Sequence, residues 1–387
     1  MFCIIEIVRK RVKQKMNNVK HILGISGGKD SAALSIYMHQ QFPDVEVEYY
    51  TCDTGRELDE TYALIDRLES RMGKKILKLD AVDLTNISDE SAFDHFLSMY
   101  GGYLPSSTSR WCTKKLKLEP FEAYIGDTPT ISYVGIRGDE DRDGYISKKQ
   151  TVQSIFPFRR NIWSEDVNKL VLSNNNIVAF MERISEHAAD SKLETFLTIA
   201  SAPISPNFNL KQKLNALLDV DIVTYNKVVF DFLKETDYPV GQLDDFPLIY
   251  NTDNLVRDDI FAILEESGVG IPSYYKPLVY EVEINNEIKT GSYSRSRSGC
   301  FFCFYQQKIE WVWLFETHND LFLKAIEYEK DGYSWMDSET LEELSQPERI
   351  ASIKKEHYLR MNRNNRSKSW QDQIIDAEGE GCVSCFI

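Results

Sequence analysis

No apolar run in the chain approaches the roughly 20 residues that a membrane-spanning helix requires, so membrane insertion is not expected. No secretory leader is expected either. Met1 to Val8 is apolar but short, and the basic run Arg9 to Lys15 follows it instead of preceding it. Met16, just before the first apolar strand, is an alternative start to Met1. Internal repeats are absent. Positive charge is in deficit: 45 basic against 60 acidic residues leave a net charge of −15, which argues against non-specific coating of nucleic acid. The basic residues are nevertheless clustered at Arg9 to Lys20, Arg110 to Lys117, Arg295 to Arg297 and Lys354 to Lys368. Each cluster reads either as a solvated face or as a local basic surface. Seven cysteines without an export signal point to a reducing, cytoplasmic setting, where thiols serve metals or chemistry.

What is present is a folded-protein composition, 42% hydrophobic and 27% charged over 387 residues. That suits one main domain with additions, or two domains. Strand and helix alternate in the first half: strand Ile22–Ile25, helix Ala32–Gln41, strand Val45–Cys52, helix Leu58–Met72, strand Lys75–Leu79 and a later strand Thr130–Ile136. This order predicts an α/β fold, a parallel twisted sheet with helices on both faces. Ligands of such sheets sit at the carboxyl ends of the strands. There Ser26, Asp53 and Gly135 could share one crevice.

From Leu172 to Asn254 the pattern becomes helical, at Ile177–His187, Leu193–Ile199, Leu210–Leu218 and Tyr225–Lys234. It reads as a helical insertion, acting as a lid or packing addition or else as a partner-binding module. A helix follows at Leu255–Gly268, then a strand or turn at Pro277–Ile284 and one long aromatic-rich helix at Ile309–Tyr328. Trp311, Trp313 and Phe315 on that helix are expected in the core. The expected divisions are an N-terminal extension (1–18), a nucleotide-binding α/β domain (19–171), the helical insertion (172–254), a C-terminal helical and cysteine-containing part (255–345) and a basic, polar tail (346–387).

The most informative stretch is Ser26-Gly27-Gly28-Lys29-Asp30-Ser31, between the first strand and its helix. Two glycines allow a tight turn and close backbone approach. The exposed amides and the positive end of the helix suit a phosphate, with Ser26, Lys29 and Ser31 as side-chain donors. The longer spacer and terminal Gly-Lys-Ser/Thr of a Walker A loop are missing. Asp53, at the end of the second strand, could support Mg²⁺ or ribose, or cap the next helix. Cys300-Phe301-Phe302-Cys303 is a CxxC clamp suited to zinc, an iron–sulfur cluster or a redox pair.

The Ser-Gly-Gly-Lys-Asp-Ser loop resembles the PP-loop of ATP pyrophosphatases, and an adenine nucleotide alpha-hydrolase-like fold is what that implies. In that family the loop holds the pyrophosphate end of ATP while a nucleophile attacks the α-phosphate. Asp53-Thr54-Gly55 with Glu60-Thr61, and Gly135-Ile136-Arg137-Gly138-Asp139-Glu140-Asp141-Arg142, resemble the phosphoadenosine phosphosulfate reductase branch. So do Pro157-Phe158, Trp163 and Glu165-Asp166-Val167, as a structural element. The resemblance covers residues 19–170 and 255–345. It implies that Gly27, Gly28, Lys29 and Ser31 hold phosphates with Mg²⁺, and that Asp30 orients the loop or the metal. Arg137 then neutralises charge at the α-phosphate, with Asp53, Thr54, Gly55 and Gly135 beside the nucleotide.

Cys112 lies where assimilatory adenylylsulfate reductases carry a cysteine pair, although Trp111 replaces the first of the two. The resemblance implies that Cys112, Cys300 and Cys303 ligate a [4Fe–4S] cluster, with Cys382 or Cys385 as a possible fourth ligand. Structural zinc is the alternative. Cys382 and Cys385 are either a persulfide carrier loaded by a cysteine desulfurase or incidental cysteines of a tail. The reductases' C-terminal Glu-Cys-Gly-x-His context is missing. The remaining combination resembles the sulfurtransferase component of DNA phosphorothioation systems (DndC/SspD-like) used in antiphage defence. That resemblance implies DNA and other modification-complex subunits as partners. A tRNA thiolase, a sulfonucleotide reductase and a non-hydrolysing ATP sensor are the rival readings.

Overall fold

The computed structural model describes residues 19–81, 91–140, 149, 151–330 and 332–364. Strands β1 (Lys20–Gly24), β2 (Val47–Cys52), β3 (Ile76–Leu79), β4 (Thr130–Tyr133) and β5 (Val152–Ile155) form one sheet in the order β3-β2-β1-β4-β5, parallel throughout. Parallel neighbours need crossovers rather than tight turns. Helices α1 (Lys29–Gln41) and α2 (Asp59–Met72) supply the first two. Alternate side chains serve opposite faces: Ile22, Tyr50 and Leu79 pack with Phe121 and Ile125, whereas Leu23, Tyr49 and Ile76 join the core of α1 and α2. The expected α/β class is therefore the observed one, with β1 at the centre. Strand β5 escaped the sequence reading because Val-Gln-Ser-Ile is too short and polar to show a period.

Helix α3 (Ala92–Met99) precedes a continuous helical stretch made of α4 (Trp111–Thr113), a π-helical turn (Lys114–Leu118) and α5 (Glu119–Ile125). Helices α6 (Glu165–Val171), α7 (Ile177–His187), α8 (Asp190–Ser201), α9 (Leu210–Val220) and α10 (Ile222–Leu233) follow β5. Phe180, Ile184, Leu217 and Tyr225 of this block belong to the same core as Leu23, Leu34 and Trp163. The helices between residues 177 and 233 thus share the core built on the sheet, and the turn Pro239–Gln242 after them meets β4 and β5. Buried Phe158, Trp163 and Val167 sit at the junction, and Trp163 Nε1 donates to Asn226 Oδ1 at 2.9 Å. Helix α11 (Arg257–Glu266) then returns to lie against α1.

A second core gathers around Trp311, Trp313, Phe301, Phe302 and Trp335. It includes the hairpin β6 (Leu278–Ile284) and β7 (Glu287–Tyr293). Their two-residue turn places Asn285 and Asn286 at φ 52° and 63°, the double positive φ that matches strand twist. Two expectations are corrected here. The single helix Ile309–Tyr328 is two, α12 (Lys308–Thr317) and α13 (Asn319–Glu327), because His318 leaves helical backbone at φ −138°, ψ 62°. Asn319-Asp320 then restarts a helix, as short polar side chains favour. Nor is the chain a polar tail from residue 346. Beyond α14 (Leu341–Leu344), helix α15 runs Pro347–Asn364 and buries Ile353 and His357 at helical spacing. Cys3, Cys382 and Cys385 lie outside the described residues. Among the described residues, no helix is long and apolar enough to cross a membrane.

Candidate functional site

The loop after β1 occupies the carboxyl edge of the sheet's central strand. Gly27 has φ +77°, and a Cβ there would lie 2.3 Å from Thr61 Cγ2, so only glycine fits. Ser26 and Ser31 bond through their hydroxyls at 3.1 Å, and Ser31 Oγ donates to the Gly28 carbonyl at 3.2 Å. Helix α1 starts from Gly28 with no side-chain cap. Its N-cap thus accepts none of the first amides through a side chain, and the Lys29 N–H donates to the neutral Tyr275 hydroxyl at 3.4 Å. These partners bring no negative charge to the positive end of the dipole, where an anion is favoured.

The charges at the start of α1 are buried and compensated. Lys29 is 2% exposed, with Nζ 3.3 Å from Asp30 Oδ2 and 5.1 Å from the Tyr275 ring centre. Arg137, 1% exposed, donates to Asp30 at 2.7 Å and also pairs with Asp139 and Glu140, both at 2.9 Å. Burial alone would raise the Asp30 carboxyl. Lys29 and Arg137 outweigh it and hold the group at about 2. Gly135 sits where a Cβ would come 2.9 Å from the Asp30 carbonyl, so the turn after β4 touches the loop's backbone. Asp141 and Arg142 lie outside the described residues.

Asp53 does not cap α2, which starts from Leu58 without a side-chain cap. It accepts instead from the Gly55 N–H and the Tyr62 hydroxyl, both at 2.8 Å, and pairs with Lys78 at 3.3 Å. Burial opposes its charge, but these three donors keep the carboxyl below its usual range. A pocket between β1 and β2 is lined by Ser26, Asp53, Glu57, Tyr62, Lys78 and Lys117 among others. Ser26 and Asp53 therefore share one crevice, with Gly135 on the other side of the loop. Cys52, at the end of β2, is half-buried and donates to the Lys117 carbonyl at 3.7 Å.

The cysteines adjoin this crevice, which nothing in their sequence spacing revealed. Thr54 Oγ1 lies 3.2 Å from Cys300 Sγ, and Glu57 Oε1 lies 3.9 Å from it. Glu57 and Cys300 form a β-bridge, and Phe301 N–H donates to the Arg56 carbonyl at 2.9 Å. Within the CxxC turn, Cys303 N–H donates to the Cys300 carbonyl at 3.1 Å. Burial pushes the Cys112 thiol up to about 11, and the nearby Cys303 adds to the shift. Cys300 and Cys303 are also raised by burial, with Glu57 reinforcing the shift at Cys300. Glu57 itself is raised by burial, against the pull of Lys117.

Three half-buried cysteines therefore converge from two segments. Among the described residues, the three sulfurs do not all fall within 4.8 Å of one another. Zinc thiolates at about 2.3 Å would place sulfurs roughly 3.8 Å apart. At least one of the three separations is therefore wider than that tetrahedron. Arg295 adds a second sign. It is 0% exposed, its Nε and Nη1 have no hydrogen-bond acceptor among the described residues, and its Nη2 donates to the Cys300 carbonyl at 3.1 Å. A buried cation with orphaned donors is costly unless negative charge faces it, and thiolates held by a metal would supply that charge.

Residues that sequence reasoning missed tie the two halves together. Tyr274 donates to the Gly27 carbonyl at 2.8 Å, and the Lys29 N–H donates to the Tyr275 hydroxyl at 3.4 Å. Ser298 donates to the Ser26 carbonyl at 3.2 Å. Glu310 accepts from Ser296 N–H at 2.7 Å and Ser296 Oγ at 2.8 Å, which fixes the segment carrying Arg295 and Ser298. Residues 20–175, from β1 through the turn after α6, match a known family. The match is to the phosphoadenosine phosphosulfate reductase domain and covers less than half of the chain. The match ends before the cysteine pair of residues 300–303.

Curated relatives align over a comparable length. A protein of Methanocaldococcus jannaschii, described as uncharacterized protein MJ0066, is 30% identical over 149 residues, 35% of this chain and 28% of its own. The tRNA-specific 2-thiouridylase MnmA of Actinobacillus succinogenes is 25% identical over 171 residues, 36% of this chain and 42% of its own. That of Hydrogenovibrio crunogenus is 26% identical over 155 residues, covering 35% and 38%. The chain thus spans less than half the length of these relatives. No solved structure matches the chain.

Proposed function

We propose that the protein is an ATP pyrophosphatase that adenylates a nucleic-acid acceptor and supports its sulfuration. The acceptor favoured by the residue pattern is the DNA backbone phosphate. The observation that carries this reading is the contact between two sites: the uncapped, glycine-turned start of α1 and the three-cysteine cluster, joined through Ser298–Ser26 and Thr54–Cys300. Gly27, Gly28 and the first amides of α1 hold the β- and γ-phosphates of ATP with Mg²⁺, and Ser26 and Ser31 add donors. Lys29 and Arg137 supply positive charge around the loop, and Asp30 holds both in place. Asp53, Thr54, Gly55 and Gly135 border the nucleotide.

An acceptor oxygen attacks the α-phosphorus, and the bond to pyrophosphate breaks. Donor sulfur at the hydrosulfide level, from a desulfurase persulfide with a thiol as reductant, then displaces AMP. The chain's part is positioning and electrostatics. Cys112, Cys300 and Cys303 would hold a [4Fe–4S] cluster, which would supply a Lewis-acidic, sulfur-binding iron. Pyrophosphate release from ATP is the direct test. Asp30→Asn and Ser26→Ala should abolish it, and steady orthophosphate release would refute the reading.

Thiolation of a tRNA base is the second reading, favoured by the similarity to 2-thiouridylases. Mass spectrometry of host DNA and tRNA, with and without the protein, separates the two. Phosphorothioate dinucleotides support the first reading, and thiolated nucleosides support the second.

A further inference from the structure

Beside the cysteines the surface is aromatic and basic, on a chain whose net charge is −15. Tyr100, Tyr103 and Tyr333 are 41%, 37% and 37% exposed. The rings of Tyr103 and Tyr333 meet edge to face at 5.3 Å, and Tyr100 lies 5.2 Å from Trp111. Trp111 Nε1 donates to the Tyr103 carbonyl at 3.0 Å, so the outer rings stand on a buried one. Next in the chain, Arg110 and Cys112 flank Trp111. The Arg110 guanidinium lies 5.7 Å from the Tyr305 ring centre and that of Arg297 lies 6.0 Å from it, two residues beyond Cys303. Exposed Lys114 and half-buried Lys117 continue the positive edge. Asp94 is engaged with Arg56 and Tyr328, and Glu119 with Lys115.

We infer that this face is a stacking platform for the unpaired bases of a single-stranded nucleic-acid segment, delivered beside Cys112 and Cys303. Exposed rings offer π-faces to any base, and arginines stacked on tyrosine present planar cations to phosphate and base alike. A duplex keeps its bases stacked and cannot use the rings. The inference rests on the proposal that the acceptor is a nucleic acid.

The test is fluorescence anisotropy of the full chain with short fluorescein-labelled single-stranded DNA, single-stranded RNA and duplex DNA. Single strands should bind more tightly than duplex. Tyr103→Ala and Tyr333→Ala should each weaken that binding roughly 5- to 100-fold, Tyr103→Phe should retain it, and Arg110→Ala should reduce its salt dependence. The tighter of the DNA and RNA single strands names the polymer. Alanine variants that bind like the parent, equal affinity for duplex, or no binding of any oligonucleotide would each overturn the platform. Pyrophosphate release from ATP with host DNA and tRNA supplied as acceptors, followed in the same preparations, separates the two failures. Its persistence beside unaltered binding sinks only the platform. Its absence beside tyrosine-dependent binding sinks only the ATP chemistry.

Discussion

Gly27→Ala perturbs the loop at its tightest point, and the structure separates the cost into two parts. The backbone at φ +77° is one that an L-residue adopts at a cost of about 1–2 kcal/mol. The new Cβ would also lie 2.3 Å from Thr61 Cγ2. Thr61 is buried on α2, so relief requires shifting a packed side chain, for about 1–3 kcal/mol. Together the substitution should destabilise the protein by about 2–5 kcal/mol and abolish pyrophosphate release. Thr61→Ser removes the clashing methyl while leaving the hydroxyl. In a double-mutant cycle followed by urea denaturation, it should restore about 1–3 kcal/mol to Gly27→Ala, beyond its own effect. A coupling near zero, or a Gly27→Ala protein as stable as the parent, would refute the geometry.

Three further predictions follow from other parts of the molecule. Protein purified without oxygen should carry iron and acid-labile sulfide with absorbance near 400 nm; Cys112→Ser or Cys303→Ser should lower both, and zinc without sulfide would refute the cluster. Burial, helped by Arg360, lowers His357 from 6.5 to about 4; the unfolded chain then binds the extra proton first, so stability should be full above pH 6.5 and fall as pH drops towards 4. His357→Gln should flatten that part of a denaturation-against-pH profile, and an unchanged slope would remove His357 as the cause. Lys213 Nζ donates to the Ala200 and Ala202 carbonyls at 2.8 and 2.7 Å, closing the end of α8; Lys213→Met leaves the buried Ala200 carbonyl and the half-buried Ala202 carbonyl without this donor and should cost about 1–3 kcal/mol by urea denaturation.

The central strand, the glycine turn and the helix after it were legible in the sequence because they are local. Val19 to Phe42 carries its strand, turn and helix signals within one short stretch, and parallel order follows from alternation. Elements without a local signal were not legible. Strand β5 has only Val152 to Ile155, the break at His318 interrupts an otherwise helical pattern, and α15 disguises its buried side with a basic face. The cysteine site was half legible. Three thiols could be named, but neither their distance from the loop nor the partners around them could be.

The sequence by itself determined the α/β class and a glycine turn at Ser26 to Ser31 between strand and helix, since both rest on residue spacing along a few turns of chain. Tertiary structure alone decided that Tyr274, Tyr275 and Ser298 close over that turn, and that Thr54 and Glu57 face Cys300. It also decided that Arg137 is held by Asp30, Asp139 and Glu140. Those contacts join residues more than a hundred positions apart, with the exception of the arginine's two nearest carboxylates, and their register is set by packing of the two cores. No local propensity encodes such a distance. The absence of membrane-length runs and the acidic balance, read at the outset, bounded the kind of protein; the fold decided which of its scattered basic and aromatic residues meet at the cysteines.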